Sequence, residues 1–163
     1  MSDFRLSSRS LERLESVHPN LVEMVKTAIH LSDVDFMVFE GLRSVERQRQ
    51  YVAAGVSTTM KSKHLRQDDG FSHAVDLVPI VAGRARWEIK PCIRIAEAMQ
   101  EAYKVGYTDF ELVWGGAWAV IGDATNVTVS PEKLWREYLK SKHEADEEPF
   151  VDGPHFQLMR WAG

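Results

Sequence analysis

The sequence predicts a single α+β domain spanning residues 1–163, a small antiparallel sheet with helices packed around it. Three observations predict this. Apolar residues recur at helical spacing in two long segments, near the N-terminus and mid-chain. Short runs rich in β-branched and aromatic residues occur mostly later and end at Gly or Pro. No repeat, low-complexity run or linker divides the chain, whose 163 residues suit one hydrophobic core.

Ser10 is placed to cap a short helix through about Val17. In HPNLVEMVKTAIHLS, Pro19 suits a first helical turn, and Leu21, Val22, Val25, Ala28 and Ile29 share one face. DVDFMVFEG alternates as a strand, with Val34, Phe36 and Val38 on one side. Ser44 can cap a helix through Ala54, where Gly55 supplies the C-terminal stop. Residues 56–73 read as a polar, irregular stretch. AVDLVPIV reads as a buried strand closed by Pro79, and Pro91 as the opening of a helix that turns Ile95, Ala96, Met99, Ala102 and Tyr103 inward and stops at Gly106. FELVWGG predicts a strand. SPEKLWREYLKSK predicts a helix with Ser130 as cap and Pro131 at its first position, HEADEEP an acidic loop, and GPHFQLM a short final strand.

Composition narrows the function. The chain is 44% hydrophobic and 27% charged, which fits a soluble globular protein. Its net charge of -4 argues against nucleic acid as a partner. No apolar run of about eighteen residues predicts a membrane span, so stable membrane insertion is not expected. The N-terminus has no apolar segment of the secretory type. Cys92 is the single cysteine, which excludes an intrachain disulfide and a cysteine-rich zinc knot.

The chemistry concentrates in SKHLRQDDGFSHAVD, residues 62–76. Asp76 precedes Leu77, Val78 and Pro79, so a carboxylate enters apolar surroundings, where it needs a salt bridge, a capping role or a metal. His64 and His73 are both near enough in sequence to share a site with it. A further histidine, His155, follows Asp152, Gly153 and Pro154 at the start of the last strand. Alone, each of these is more often structural than a ligand. Together, His, Asp and a distant His form the donor set of a catalytic zinc site whose fourth position is open to water. Asp152, three residues before a ligand, is the right group for a general base on that water.

With WGGAW and DGPHFQL downstream, SKH…SHAVDL resembles the zinc metallopeptidase family that contains the D-alanyl-D-alanine carboxypeptidases and the phage L-alanyl-D-glutamate endolysins. The pattern is Ser-x-His, Ala-x-Asp and a distant acid-x-x-His, and the resemblance runs from about His18 to Leu158. It implies Ser62-x-His64, Ala74-x-Asp76 and His155 as the motifs, hence His64, Asp76 and His155 as zinc ligands with Asp152 as the base. FEGLRS matches the segment with the family's active-site arginine and assigns that role to Arg43, for an oxyanion or a substrate carboxylate. A random arginine would more often be solvated, and Arg47 and Arg49 read as a solvated helix face.

One departure matters. The step from His64 to Asp76 is twelve residues where the family uses seven. The extra residues around RQDDGFS read as a loop insertion turning at Gly70, a lengthening of small entropic cost, and they leave His73 as the competing ligand. Ser62 and Trp118 are expected to border the substrate. Trp114 and Trp87 are candidates for the same groove, though tryptophans of this kind are more often core. Ala117 stands where many members carry a polar residue. Residues 119–151 exceed the compact endolysins, and SPEKLWREYLKSK within them is expected to form a flap or second wall. Their acidic run, Glu144 to Glu148, offers carboxylates for calcium but more simply reads as solvated.

Asp152, where the carboxypeptidases carry glutamate, favours the endolysin branch. The resemblance then implies cleavage of the L-Ala–D-Glu bond in the stem peptide of peptidoglycan by a monomer with no separate wall-binding module. It implies a protein held in the host cytoplasm until a holin gives it access to a thin Gram-negative wall. The rivals are a D-alanyl-D-alanine carboxypeptidase and a non-catalytic, zinc-stabilised wall-binding module. His₂Asp sites accept several divalent metals.

Overall fold

The computed structural model describes residues 2–106, 109–125 and 129–160. In chain order the elements are α1 (Ser8–Leu14), α2 (Pro19–Leu31), β1 (Asp35–Glu40), α3 (Val45–Ala53), β2 (Ala74–Val81), β3 (Arg84–Ala85), α4 (Ile89–Val105), β4 (Phe110–Trp114), β5 (Ala119–Gly122), α5 (Pro131–Glu144) and β6 (His155–Arg160). The strands form one antiparallel sheet in the order β1-β2-β6-β4-β5, with β3 added to the end of β2.

The last strand in sequence lies at the centre of this sheet. It pairs with β2 on one side and β4 on the other. Strand alternation sends Phe156 and Leu158 to the core face, where both are fully buried, while His155 and Gln157 take the opposite face. The core face packs against α2 and α4 through Leu21, Val25, Ile29, Ile95 and Met99. Burial of each large apolar side chain there stabilises the fold by about 1.5–3 kcal/mol.

Several expected boundaries move. Ser7, not Ser10, caps α1, its hydroxyl accepting the Ser10 N–H at 3.1 Å. Ser10 is buried, and its hydroxyl accepts the Val38 N–H at 3.0 Å, tying α1 to β1. β2 does not close at Pro79 but runs on to Val81. The β6 ladder ends at Asp76, so Pro79 occupies a stretch of β2 where no β6 partner needs its missing N–H. α4 begins two residues before Pro91. β3 and β5 are strands that the sequence pattern did not announce. α2, α3 and α5 begin and end close to the expected signals, with Ser44 and Ser130 acting as caps. Among the described residues, no helix is long and apolar enough to cross a membrane.

Candidate active site

The sheet face opposite α2 and α4 forms the floor of a cleft of about 510 Å³. Across β1, β2 and β6, Glu40 pairs with Asp76 and Asp76 with His155, so three titratable side chains form one row. A register shift between Val38 and Glu40 brings Glu40 opposite Asp76, the re-aiming that a bulge provides.

His64 joins this row from the long loop. Its chain position is fixed by two bonds, the Arg43 N–H donating to the His64 carbonyl at 2.9 Å and the His64 N–H donating to the Ser62 hydroxyl at 3.2 Å. His64 Nε2 lies 3.1 Å from Asp76 Oδ1 and 3.2 Å from His155 Nδ1, and His155 Nδ1 lies 3.3 Å from Asp76 Oδ1. The outer nitrogens fix both tautomers. His64 Nδ1 sits 2.8 Å from the Gly41 carbonyl and His155 Nε2 sits 2.8 Å from Gln157 Oε1. Those oxygens only accept, so each outer nitrogen carries the proton and each inner nitrogen turns a lone pair inward.

Two imidazole lone pairs and a carboxylate oxygen therefore converge. A cation is what such a cluster attracts. Bonds of about 2.0–2.1 Å at tetrahedral angles place donor atoms about 3.3–3.4 Å apart, and the observed triangle has edges of 3.1–3.3 Å. The residues fit a metal ion, with Gly41 and Gln157 orienting the ligands from behind. Burial opposes the charge of Asp76, but His64 and His155 outweigh it and hold the carboxyl well below its ordinary range.

Asp152 reaches the cleft from a turn pinned at four points. Its N–H donates to the Gly115 carbonyl (3.0 Å), the Gly115 N–H to the His155 carbonyl (2.8 Å), the His155 N–H to the Asp152 carbonyl (3.1 Å), and Trp114 Nε1 to the Gly153 carbonyl (2.7 Å). Burial pushes the Asp152 carboxyl above its ordinary value and the nearby Asp76 carboxylate adds to this. His155, His64 and Arg43 pull it back without reversing the direction. A carboxyl raised in this way is a better proton acceptor than a solvated one. Burial likewise pushes the Cys92 thiol up to about 12, so it stays protonated and is no nucleophile.

Arg43 lines the same cleft. Its Nε and Nη2 donate to the Glu40 carboxylate at 2.6 and 3.0 Å, its Nη1 donates to Gln48 Oε1 at 2.7 Å, and its guanidinium lies 4.6 Å from the Tyr51 ring centre. The fork is thus held in one orientation before any substrate arrives. Arg47 and Arg49 are exposed.

Trp118 borders the cleft beside His155, with ring centres 5.3 Å apart. It stacks on Phe150 and donates its indole N–H to the Phe150 carbonyl at 2.9 Å. Tyr138 of α5 donates to the same carbonyl at 2.9 Å, and Phe150 is the residue of the long segment after β5 that lines the cleft, with α5 behind it. Ala117 is buried. Trp114 is core, fully buried, and Trp87 is exposed, edge-on to Phe39 at 5.2 Å. His73 lies outside β2 and turns away from the triangle toward Asp69, 2.6 Å from its Oδ2. Glu144 to Glu148 are exposed and belong to neither of the His/Asp clusters among the described residues.

Sequence reading missed Glu40, Gln48, Gln157, Phe150 and the Gly41 carbonyl. Gln157 carried a usable signal, because it lies two residues from His155 on the same strand face. Glu40 did too, three residues before Arg43. Gly41 acts through its carbonyl, which no side-chain pattern reports.

A family model described as phage L-alanyl-D-glutamate peptidase matches residues 1–130. The chain is 29% identical over 124 residues to the L-alanyl-D-glutamate peptidase of Escherichia phage T5, covering 74% of this chain and 85% of that protein. The crystal structure of the Serratia marcescens L-Ala D-Glu endopeptidase ChiX superimposes with a TM-score of 0.66 at 34% identity, over 96% of this chain and 92% of that one.

Proposed function

Given that the chain belongs to the phage L-alanyl-D-glutamate peptidase family, we propose that it is a zinc-dependent endolysin, a single catalytic domain that hydrolyses the L-Ala–D-Glu bond of peptidoglycan stem peptides. The observation that carries the metal-dependent part is the triangle of inward lone pairs from His64, Asp76 and His155, with Asp152 and Arg43 facing the same cleft. When bound there, zinc supplies Lewis-acid polarisation and lowers the pKa of a water at its open position.

The chain's own residues do the rest. Asp152 accepts a proton from the attacking water on a carboxylate oxygen. The water oxygen bonds to the L-Ala carbonyl carbon, and Arg43 faces the charge that develops on the carbonyl oxygen. The C–N bond breaks and Asp152 returns the proton to the amine nitrogen of D-Glu. Trp118 and Phe150 wall the cleft beside His155, and Ser62 holds the His64 loop at its rim. The protein works as a monomer that reaches the wall from the host cytoplasm once a holin opens the inner membrane.

Digestion of purified Gram-negative sacculi with the zinc-loaded protein, read by mass spectrometry, tests this. Released peptides should begin at D-Glu, with L-Ala left on the glycan, and a chelator should stop their release. Loss of terminal D-Ala alone would make the protein a carboxypeptidase. Zinc binding without any product would leave a wall-binding module.

A further inference from the structure

A second cluster of metal-ligating side chains lies outside the cleft. His18, at the start of α2, meets Asp69 and His73 from the loop that links the two ligands His64 and Asp76. We propose that these three side chains form a second site for a borderline divalent transition metal, one that ties the loop to α2.

The donor atoms converge on one carboxylate oxygen. Asp69 Oδ2 lies 2.6 Å from His73 Nε2 and 3.8 Å from His18 Nε2. These distances bracket the separation of about 3.3–3.4 Å that tetrahedral bonding requires. The other oxygen of Asp69 is engaged elsewhere, accepting the Phe71 N–H at 3.1 Å, which turns Oδ2 toward the imidazoles. Both histidine side chains are largely buried, at 15% and 11% exposure, while Asp69 keeps 35%, so the cluster meets solvent on the carboxylate side. Phe110 walls the pair, its ring centre 4.9 Å from that of His18 and 5.6 Å from that of His73.

Two imidazoles and a carboxylate suit zinc, cobalt, nickel or copper better than calcium or magnesium, which prefer oxygen alone. Binding has one local consequence. His18 Nδ1 now accepts the Asn20 N–H at 3.2 Å. A metal on Nε2 leaves the proton on Nδ1, so loading exchanges this cap for a metal bond. The position of the site gives it a purpose. The backbone already stitches the twelve-residue His64–Asp76 connection to the α2 entrance, with the His18 N–H donating to the Ser72 carbonyl at 2.9 Å and the Ser72 N–H to the Ser16 carbonyl at 2.9 Å. A metal across His18, Asp69 and His73 adds a cross-link at the same seam.

The test is metal stoichiometry, which needs no substrate. Full-length wild type, His18→Asn and Asp69→Asn are stripped with chelator, titrated with Zn²⁺, and their bound zinc measured by elemental analysis. Asparagine at position 18 keeps a good N-cap, and circular dichroism checks that both variants fold. Each variant should bind one equivalent less than wild type, and the Co²⁺-loaded forms should lose the corresponding visible absorption. His64→Ala should lose the other equivalent and retain this one, so the result does not depend on the zinc site in the cleft. Zinc contents of His18→Asn and Asp69→Asn equal to wild type would overturn the proposal.

Discussion

Asp152 illustrates what one residue's surroundings decide. Its carboxyl is raised by burial and by Asp76, so ionisation is easier in the unfolded chain than in the fold. The sign follows by linkage. Its contribution to stability is fully present below the ordinary carboxylate value and is lost as pH rises through the raised folded value. At neutral pH the charged group therefore costs the metal-free fold stability. Asp152→Asn should melt higher than wild type at pH 7 in chelator, and the difference should shrink as the pH is lowered into the carboxylate range. The same substitution removes the proposed proton acceptor, so the rate of stem-peptide cleavage should fall by about 10²–10⁴-fold. A variant that lost stability and activity together would mark Asp152 as structural. At this scale the sequence was informative where chemistry is coded in side-chain type. His64, Asp76, His155, Asp152 and Arg43 all line one cleft. It was silent on the Gly41 carbonyl, and it favoured His64 over His73 mainly through the resemblance, because that choice depends on where the long loop folds.

Elements position these residues, and the closest tolerance lies where β4 ends. A Cβ at Gly115 would meet the Asp152 carbonyl oxygen at 2.5 Å and His155 Cβ at 2.9 Å. Neither contact is the yielding tip of a flexible side chain, so the turn carrying Asp152 and His155 would have to shift. Gly115→Ala should thus leave the chain folded but lower cleavage by about 10²-fold, the usual penalty for misplacing reacting groups by about an ångström. Circular dichroism alongside the sacculus assay checks this, and a fully active Gly115→Ala would show that the turn has slack. Helices with caps and apolar stripes were readable because capping and burial are local: Ser44 and Ser130 each accept the N–H three residues on. Strand limits were not. β2 continues through Pro79 because its pairing with β6 has already stopped, and that is a property of the partner strand. Ser10 looked like a cap, yet its hydroxyl serves Val38, 28 residues away.

At the scale of the whole molecule, the sheet has two unlike faces, and its stability should depend on what occupies the polar one. The core face is closed by α2 and α4. On the other face, His64 Nε2, His155 Nδ1 and Asp76 Oδ1 lie within 3.3 Å of one another, an arrangement that a cation would complete. The three proposed ligands come from the loop after α3, from β2 and from β6, so a metal there would bridge segments 91 residues apart in sequence. The unfolded chain cannot gather these donors, so zinc binding adds directly to folding stability. With free zinc at 100 times its dissociation constant, a single site contributes about 2.7 kcal/mol. For a chain of this length each kcal/mol moves Tm by about 2–4 °C, so zinc should raise the melting temperature by about 5–10 °C over the chelated protein, in parallel with recovery of lytic activity. His64→Ala should lose the activity and the cleft's share of that shift, because its remaining donors in the cleft hold zinc weakly, and should keep only what a metal at His18, Asp69 and His73 adds. A zinc-induced rise of full size in His64→Ala would place the stabilising metal elsewhere, at His18, Asp69 and His73, and would separate the ion that holds the fold from the ion that serves the cleft.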